Sequence, residues 1–328
     1  MEFFMINTKE ELFKKLEEAH KESLAILNGP PQESDHLYHY TNLESGLAIL
    51  ESTILRFSDI RYLNDPEEIN EGLKILNRIN EELFEKYFKL SPPFAYAMSF
   101  IVHTLNLTTS FDVNDSKLLE KAHEDFKKCG VNPTSFKFTK SSIFISCLSE
   151  YGDDLRQWIP YASNGQGMAI GFVGFKEGHD ITADDSWIIK VCYKNIEDKE
   201  IYVRNIYERA YRVMDQMNHA LIADYVDLIY RALLFDIIAC KSENYEDEEE
   251  WRLIRVIPEE DTKEIVKYRT QDNIIKPYID VKLNEYSVVK INLGPKAEET
   301  LNTHSLGRLL KHRGYMKAKI FKSDISYR

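Results

Sequence analysis

The chain has 328 residues, of which 43% are hydrophobic and 29% charged. That is enough for one large domain with a buried core, and it excludes a disordered chain. The 42 Lys and Arg against 54 Asp and Glu leave a net charge of -12, which excludes a global basic footprint for nucleic acid but not a local patch. The charge is uneven: residues 243–250 hold six acidic side chains in eight, while residues 296–328 hold eight Lys or Arg against three acidic residues.

From the N-terminus, Thr8 with Glu11 makes a capping box. It opens a helix expected to be peripheral and to stop at Asn28-Gly29-Pro30-Pro31. His36-Leu37-Tyr38-His39-Tyr40-Thr41 reads as a strand, residues 42–52 as a helix and Leu55-Arg56-Phe57 as a short strand. Asp65-Pro66-Glu67-Glu68 is a helix start, with a cap, a first-turn proline and two carboxylates favoured by the dipole. A helical insertion follows, including a helix over 117–128. Strands are expected at 142–148, 167–172 and 188–193, with a short helix over 153–162 between the first two. One or two long helices fill 200–241. A strand over 250–256 follows the acidic block, then strands at 278–283 and 288–293, a helix over 305–312 and a last strand at 319–321. Strands without repeating βαβ units give an α+β class.

The cysteines Cys129, Cys147, Cys192 and Cys240 show no C-x-x-C spacing, so neither zinc nor a disulfide scaffold is expected. No signal peptide and no apolar run long enough to span a membrane is visible. A cytoplasmic chain with no membrane partner is the expectation. Walker A, H-E-x-x-H and G-x-S-x-G patterns are missing. Gly165-Gln166-Gly167 lies after a helix and before a strand, the reverse of the dinucleotide-loop order, and reads as a tight turn.

Three segments join polar chemistry to strands or helices. His39 and Thr41 lie on one face of a strand, one pleat apart, where they can hydrogen-bond two groups of one sugar; a strand histidine satisfied by its neighbours is the structural alternative. Trp158 and Tyr161 share a helix face and could wall a flat ligand, or pack the core. On a strand, Glu248, Glu250 and Arg252 would face one way and Trp251 the other. A carboxylate held toward a cleft in this way can stabilise a cationic transition state. A solvated edge strand is the alternative.

In their order along the chain these segments resemble the bacterial family catalogued as domain of unknown function 2971. The matching stretches are Leu37-Tyr38-His39-Tyr40-Thr41, residues 57–66 ending in Asn64-Asp65-Pro66, residues 158–172, 248–253 and 291–295. A more distant resemblance is to ADP-ribosyltransferases of the His-Tyr-Glu type: poly(ADP-ribose) polymerases, RNA 2'-phosphotransferases and DarT-like enzymes. It implies an ADP-ribosyltransferase-like split β-sheet core with helical insertions at about 67–140 and 200–241. Residues 1–31 would form an N-terminal helix and 32–328 a single domain. It also implies NAD as substrate and no metal. His39 and Thr41 would bind the ribose and the nicotinamide amide, Tyr161 would stack on the nicotinamide ring, Tyr40 and Trp158 are further candidate cofactor-binding residues, and Glu250, or Glu248, would be the catalytic carboxylate beside His39. Poly(ADP-ribose) polymerases have Gly after the His, whose backbone holds the amide; here that position is Tyr40. The acceptor is left open, a protein or a nucleic acid, and the basic 296–328 stretch could face a phosphate backbone. A toxin or anti-phage effector with an antitoxin or effector partner fits the resemblance. A non-catalytic nucleotide-binding module and a structural interaction protein are the rival classes.

Overall fold

The computed structural model describes residues 5–28, 33–63, 67–109, 141–176, 186–258, 261–271, 273–284 and 287–327, with isolated positions at 120, 123, 124 and 127. The expected helix stop at residues 29–31, the Asp65-Pro66 part of the expected helix start, most of the expected 117–128 helix and Cys129 lie outside them. Ten strands form one sheet: β1 (Glu33–Thr41), β2 (Ile54–Asp59), β3 (Ser141–Ser149), β4 (Met168–Lys176), β5 (Trp187–Lys190), β6 (Glu250–Pro258), β7 (Lys267–Gln271), β8 (Ile274–Lys282), β9 (Val288–Leu293) and β10 (Lys319–Lys322). Among the described residues the α-helices are α1 (Lys9–Asn28), α2 (Leu43–Ser52), α3 (Glu67–Leu90), α4 (Pro92–Thr109), α5 (Leu155–Tyr161), α6 (Ile196–Asp215), α7 (Ile222–Ala239), α8 (Thr262–Ile265) and α9 (Glu299–Arg313).

The sheet branches at β3. One edge of β3 pairs with β6 along its whole length, from Ser141↔Pro258 to Ser149↔Glu250. The other edge is shared. β2 pairs at Ser58↔Ile145 and Asp59↔Phe144, whereas β1 pairs only at Tyr38↔Ser149. Beyond β1 run β4, β9 and β10; beyond β2 run β8 and β7. All pairs are antiparallel except β9 with β10. The fold is thus mixed α and β, and the opening between β1 and β2 positions the site described below.

Period-2 alternation sorts the two faces of the sheet. Ile143 and Ile145 of β3 and Ile254 of β6 join a helical layer built from α1, α3, α4, α6 and α7. Phe144, Leu148, Trp251 and Leu253 face the other way, toward Ile49 and Leu50 of α2 and Leu306 and Leu310 of α9. α7 shows why its sequence makes a helix here: Tyr225, Val226, Ile229, Leu233, Ile237 and Ile238 recur at three and four residues and are buried.

The capping box forms as expected, with the Glu11 amide donating to Thr8 Oγ1 (3.2 Å) and the Thr8 amide to Glu11 Oε2 (3.3 Å). The helix it starts is not peripheral: Leu12 and Leu16 are buried in the helical-layer core. Their spacing of four puts both on the face that meets that layer.

The expected turn at residues 165–167 is also present. Ser163, Asn164 and Gly165 all have positive φ, with Gly165 at +83°. Gly167 packs under the end of β1, where a Cβ would stand 2.2 Å from the Thr41 carbonyl oxygen. Gly167→Ala must therefore displace backbone. The expected cost is about 1–3 kcal/mol of stability, read as a lowered thermal midpoint.

Candidate functional site

The branch opens a cleft of about 460 Å³, within the range of roughly 300–1,000 Å³ typical of small-molecule sites. One wall carries His39 and Thr41 of β1, Tyr161 at the end of α5, and Lys241, Glu248 and Glu250; the wall from the β2 branch carries Arg56, Arg269 and Lys276. Residues far apart in sequence meet here because β1, β3 and β6 place their ends at one edge of the split.

His39 closes the gap in the β-ladder. Its Nδ1 lies 3.2 Å from the Cys147 carbonyl oxygen on the open edge of β3. A carbonyl can only accept, so Nδ1 carries the proton. Burial lowers the His39 pKa, against the opposite pull of that carbonyl. The ring is therefore neutral at pH 7, and Nε2 is an acceptor suited to a ligand hydroxyl. The side-chain face shared by His39 and Thr41 follows the strand period.

The acidic block does not continue the strand. Residues Glu243–Glu248 form a 3₁₀ helix, Glu249 turns through a left-handed conformation (φ 41°), and β6 begins at Glu250. This corrects the expectation that Glu248, Glu250 and Arg252 share a strand face. Glu250 and Arg252 do share one, and Trp251 is buried on the opposite face. Glu248 arrives instead from the helical turn, and both carboxylates converge on one ammonium. Lys241 Nζ donates to Glu248 Oε2 (2.6 Å) and Glu250 Oε2 (2.9 Å). Arg252 donates from Nε to Glu250 Oε1 (2.9 Å) and from Nη2 to Glu250 Oε2 (3.2 Å). Its Nη1 donates to the Ile238 carbonyl (2.6 Å) near the C-terminal end of α7, where a cation complements the helix dipole. Arg252, Lys241 and Glu250 are almost fully buried, so these three members of the two-plus-two cluster are shielded from solvent screening.

Burial alone would raise the Glu250 carboxyl, but the charges of Arg252 and Lys241 outweigh it and hold it down at about 2. The Cys147 thiol adds a bond to the same carboxylate. The ordinary value is 4.5, so ionised Glu250 contributes stability that is complete above that pH and lost as pH falls from there toward 2. A series of melting temperatures across this window should show the loss, and Glu250→Gln should flatten that part of the curve.

Tyr161 is 38% exposed and offers its ring to the cleft. Burial, and next the Glu248 charge, push its hydroxyl well above the ordinary range, so it stays protonated. Trp158 does not share that role. It is fully buried, packs edge-on against Tyr40 at 4.7 Å, and donates from Nε1 to Asp153 Oδ1 at 2.7 Å. Burying such a ring stabilises the fold by about 1.5–3 kcal/mol, which accounts for it without a ligand. The Tyr40 backbone borders the cleft while its ring turns into this second cluster. Its hydroxyl donates to the Tyr151 carbonyl (2.7 Å) and accepts from the Asp154 amide (3.1 Å).

Sequence reasoning missed Lys241, Cys147, Arg56, Arg269 and Lys276. Lys241 stands after the last turn of α7 with no motif around it, and Arg56 differs in no way from an ordinary strand charge until β8 and β7 are laid beside it.

Among the described residues, no three His, Cys, Asp or Glu side chains are grouped to hold a metal ion, and no helix is long and apolar enough to cross a membrane. The basic 296–328 stretch forms α9 and β10, on the sheet edge opposite β7.

No curated protein and no solved structure matches the chain. A family model does match, over residues 157–253, a span that includes Tyr161, Lys241, Glu248 and Glu250 but not the β1 residues. Its description is Protein of unknown function (DUF2971), and over this stretch the chain is similar to that family.

Proposed function

We propose that the cleft binds NAD and cleaves its nicotinamide–ribose bond, transferring ADP-ribose to a protein or nucleic-acid acceptor. The observation that carries this reading is the meeting of His39, Thr41, Tyr161, Glu248 and Glu250 in one cleft. The branched sheet supports an ADP-ribosyltransferase-like core as well.

Cleaving this bond passes through an oxocarbenium-like state, as in glycoside hydrolysis. The leaving group departs as neutral nicotinamide, so the protein needs no strong acid. It must orient the ribose and stabilise positive charge at its anomeric carbon. His39 Nε2 accepts a ribose hydroxyl. The Tyr161 ring stacks on the nicotinamide. Of the two carboxylates, Glu248 is the ligand-facing one: its side chain is 19% exposed against 7% for Glu250, and both Glu250 oxygens already accept charged bonds. Glu250 is then a positioning residue that holds Lys241, and through it Glu248. A role as toxin or anti-phage effector belongs to the same proposal.

The complete pairing of two carboxylates with two cations also favours a second reading, a nucleotide-binding module without turnover. Incubation with NAD separates them. Nicotinamide release supports the transferase; a thermal shift without release supports the module.

A further inference from the structure

The wall of the cleft opposite Glu248 has a chemistry of its own. Register fixes it before any side-chain detail. β2 pairs with β8 at Arg56↔Asp280 and β7 with β8 at Arg269↔Lys276. Asp280 and Lys276 are separated by an even number of residues, so all four side chains lie on one face of this three-stranded branch. The opposite face of β8 buries Ile279 and Val281 in the core.

The cations on this face outnumber their carboxylate. Asp280 stands 3.9 Å from Arg56 Nε, and its other oxygen accepts from Lys267 at 2.8 Å. Lys276 is only 8% exposed, lines the cleft, and has no hydrogen bond or ion pair among the described residues. Arg269 Nε is buried without a partner among the described residues, where the side chain's one hydrogen bond is a long one from Nη2 to Ser58 Oγ at 3.4 Å. Burial and the neighbouring Arg56 charge pull the Arg269 pKa down. A cation without a counterion is costly where burial strips its water, as at Arg269 Nε, and a second cation across the ladder adds to the cost. An anion between them would remove both penalties.

We infer that Lys276, Arg269 and Arg56 form a phosphate-binding subsite, recognising a phosphate group carried by the ligand of the cleft. The planar guanidinium donors suit phosphate oxygens and the ammonium supplies a point charge. The phosphate belongs either to a diphosphate bridge or to a phosphate monoester. The diphosphate form of the inference rests on the NAD reading above; the subsite itself does not.

The test uses the full chain and measures binding and thermal shift with inorganic pyrophosphate, ADP-ribose, adenosine 2'-monophosphate and, as a control, sulfate. Pyrophosphate and ADP-ribose should raise the melting temperature. Lys276→Met and Arg269→Gln should each weaken their binding by about tenfold or more. Without ligand, Lys276→Met should melt no lower than the parent protein, because it removes a cation that stands beside other cations without a carboxylate partner; a purely structural lysine would show the reverse. Preference for the monophosphate would assign the subsite to a monoester, and preference for the diphosphates to a bridge. Equal response to sulfate, or binding unchanged in both variants, would overturn the subsite. NAD turnover by Lys276→Met with unchanged KM would also sink it while leaving the proposed reaction standing. Phosphate binding without nicotinamide release would sink the reaction and leave the subsite.

Discussion

Arg252→Met is expected to lose about 3–5 kcal/mol of stability, the usual consequence of removing one partner from a buried ion pair. Three bonds go at once: two to Glu250 and one to the carbonyl near the end of α7. Methionine fills much of the volume, so the loss is electrostatic rather than a cavity effect. What remains is a buried Glu250 carboxylate with Lys241 as its only charged partner of the original two. The double variant Arg252→Met/Glu250→Gln should therefore lose less than the two single losses added together. Chemical denaturation of the four proteins measures this coupling. Additive losses would mean that Arg252 acts through α7 alone.

Glu248→Gln is expected to lower NAD turnover by roughly a hundredfold or more while leaving the melting temperature near that of the parent. The side chain is part-exposed and bonds one ammonium, so its amide isostere should cost the fold little. Glu250→Gln should behave in the opposite order, with a clear loss of stability and turnover falling as Lys241 and Glu248 lose their alignment. A Glu250→Gln protein that folds well and is inactive, beside an active Glu248→Gln, would exchange the two roles.

Much of this arrangement is visible in the sequence because local rules agree with the fold. The β1 strand follows from its aromatic alternation, the Thr8–Glu11 cap forms as its spacing demands, and Val288–Leu293 is a strand with the limits that its residues suggest. Tertiary context decides the rest. Lys267–Gln271 is polar on both faces and mostly exposed, so as an edge strand it lacks the apolar alternation by which strands are recognised. Glu248 looked like a strand residue because the period-2 count from Trp251 fits it. The left-handed backbone of Glu249 breaks that count. Trp158 and Tyr161 do sit on one short helix, but packing against Tyr40 takes the first ring into the core and leaves the second in the cleft. Lys241 and Lys276 acquire meaning only when separate elements bring partners, or other cations, beside them.

The most direct measurement is nicotinamide release from NAD by the purified full chain, run beside Glu248→Gln and His39→Ala. The account predicts release by the parent protein and its near-complete loss in both variants, each still folded. An unchanged rate in both variants, or no nicotinamide release by the parent protein, would contradict it.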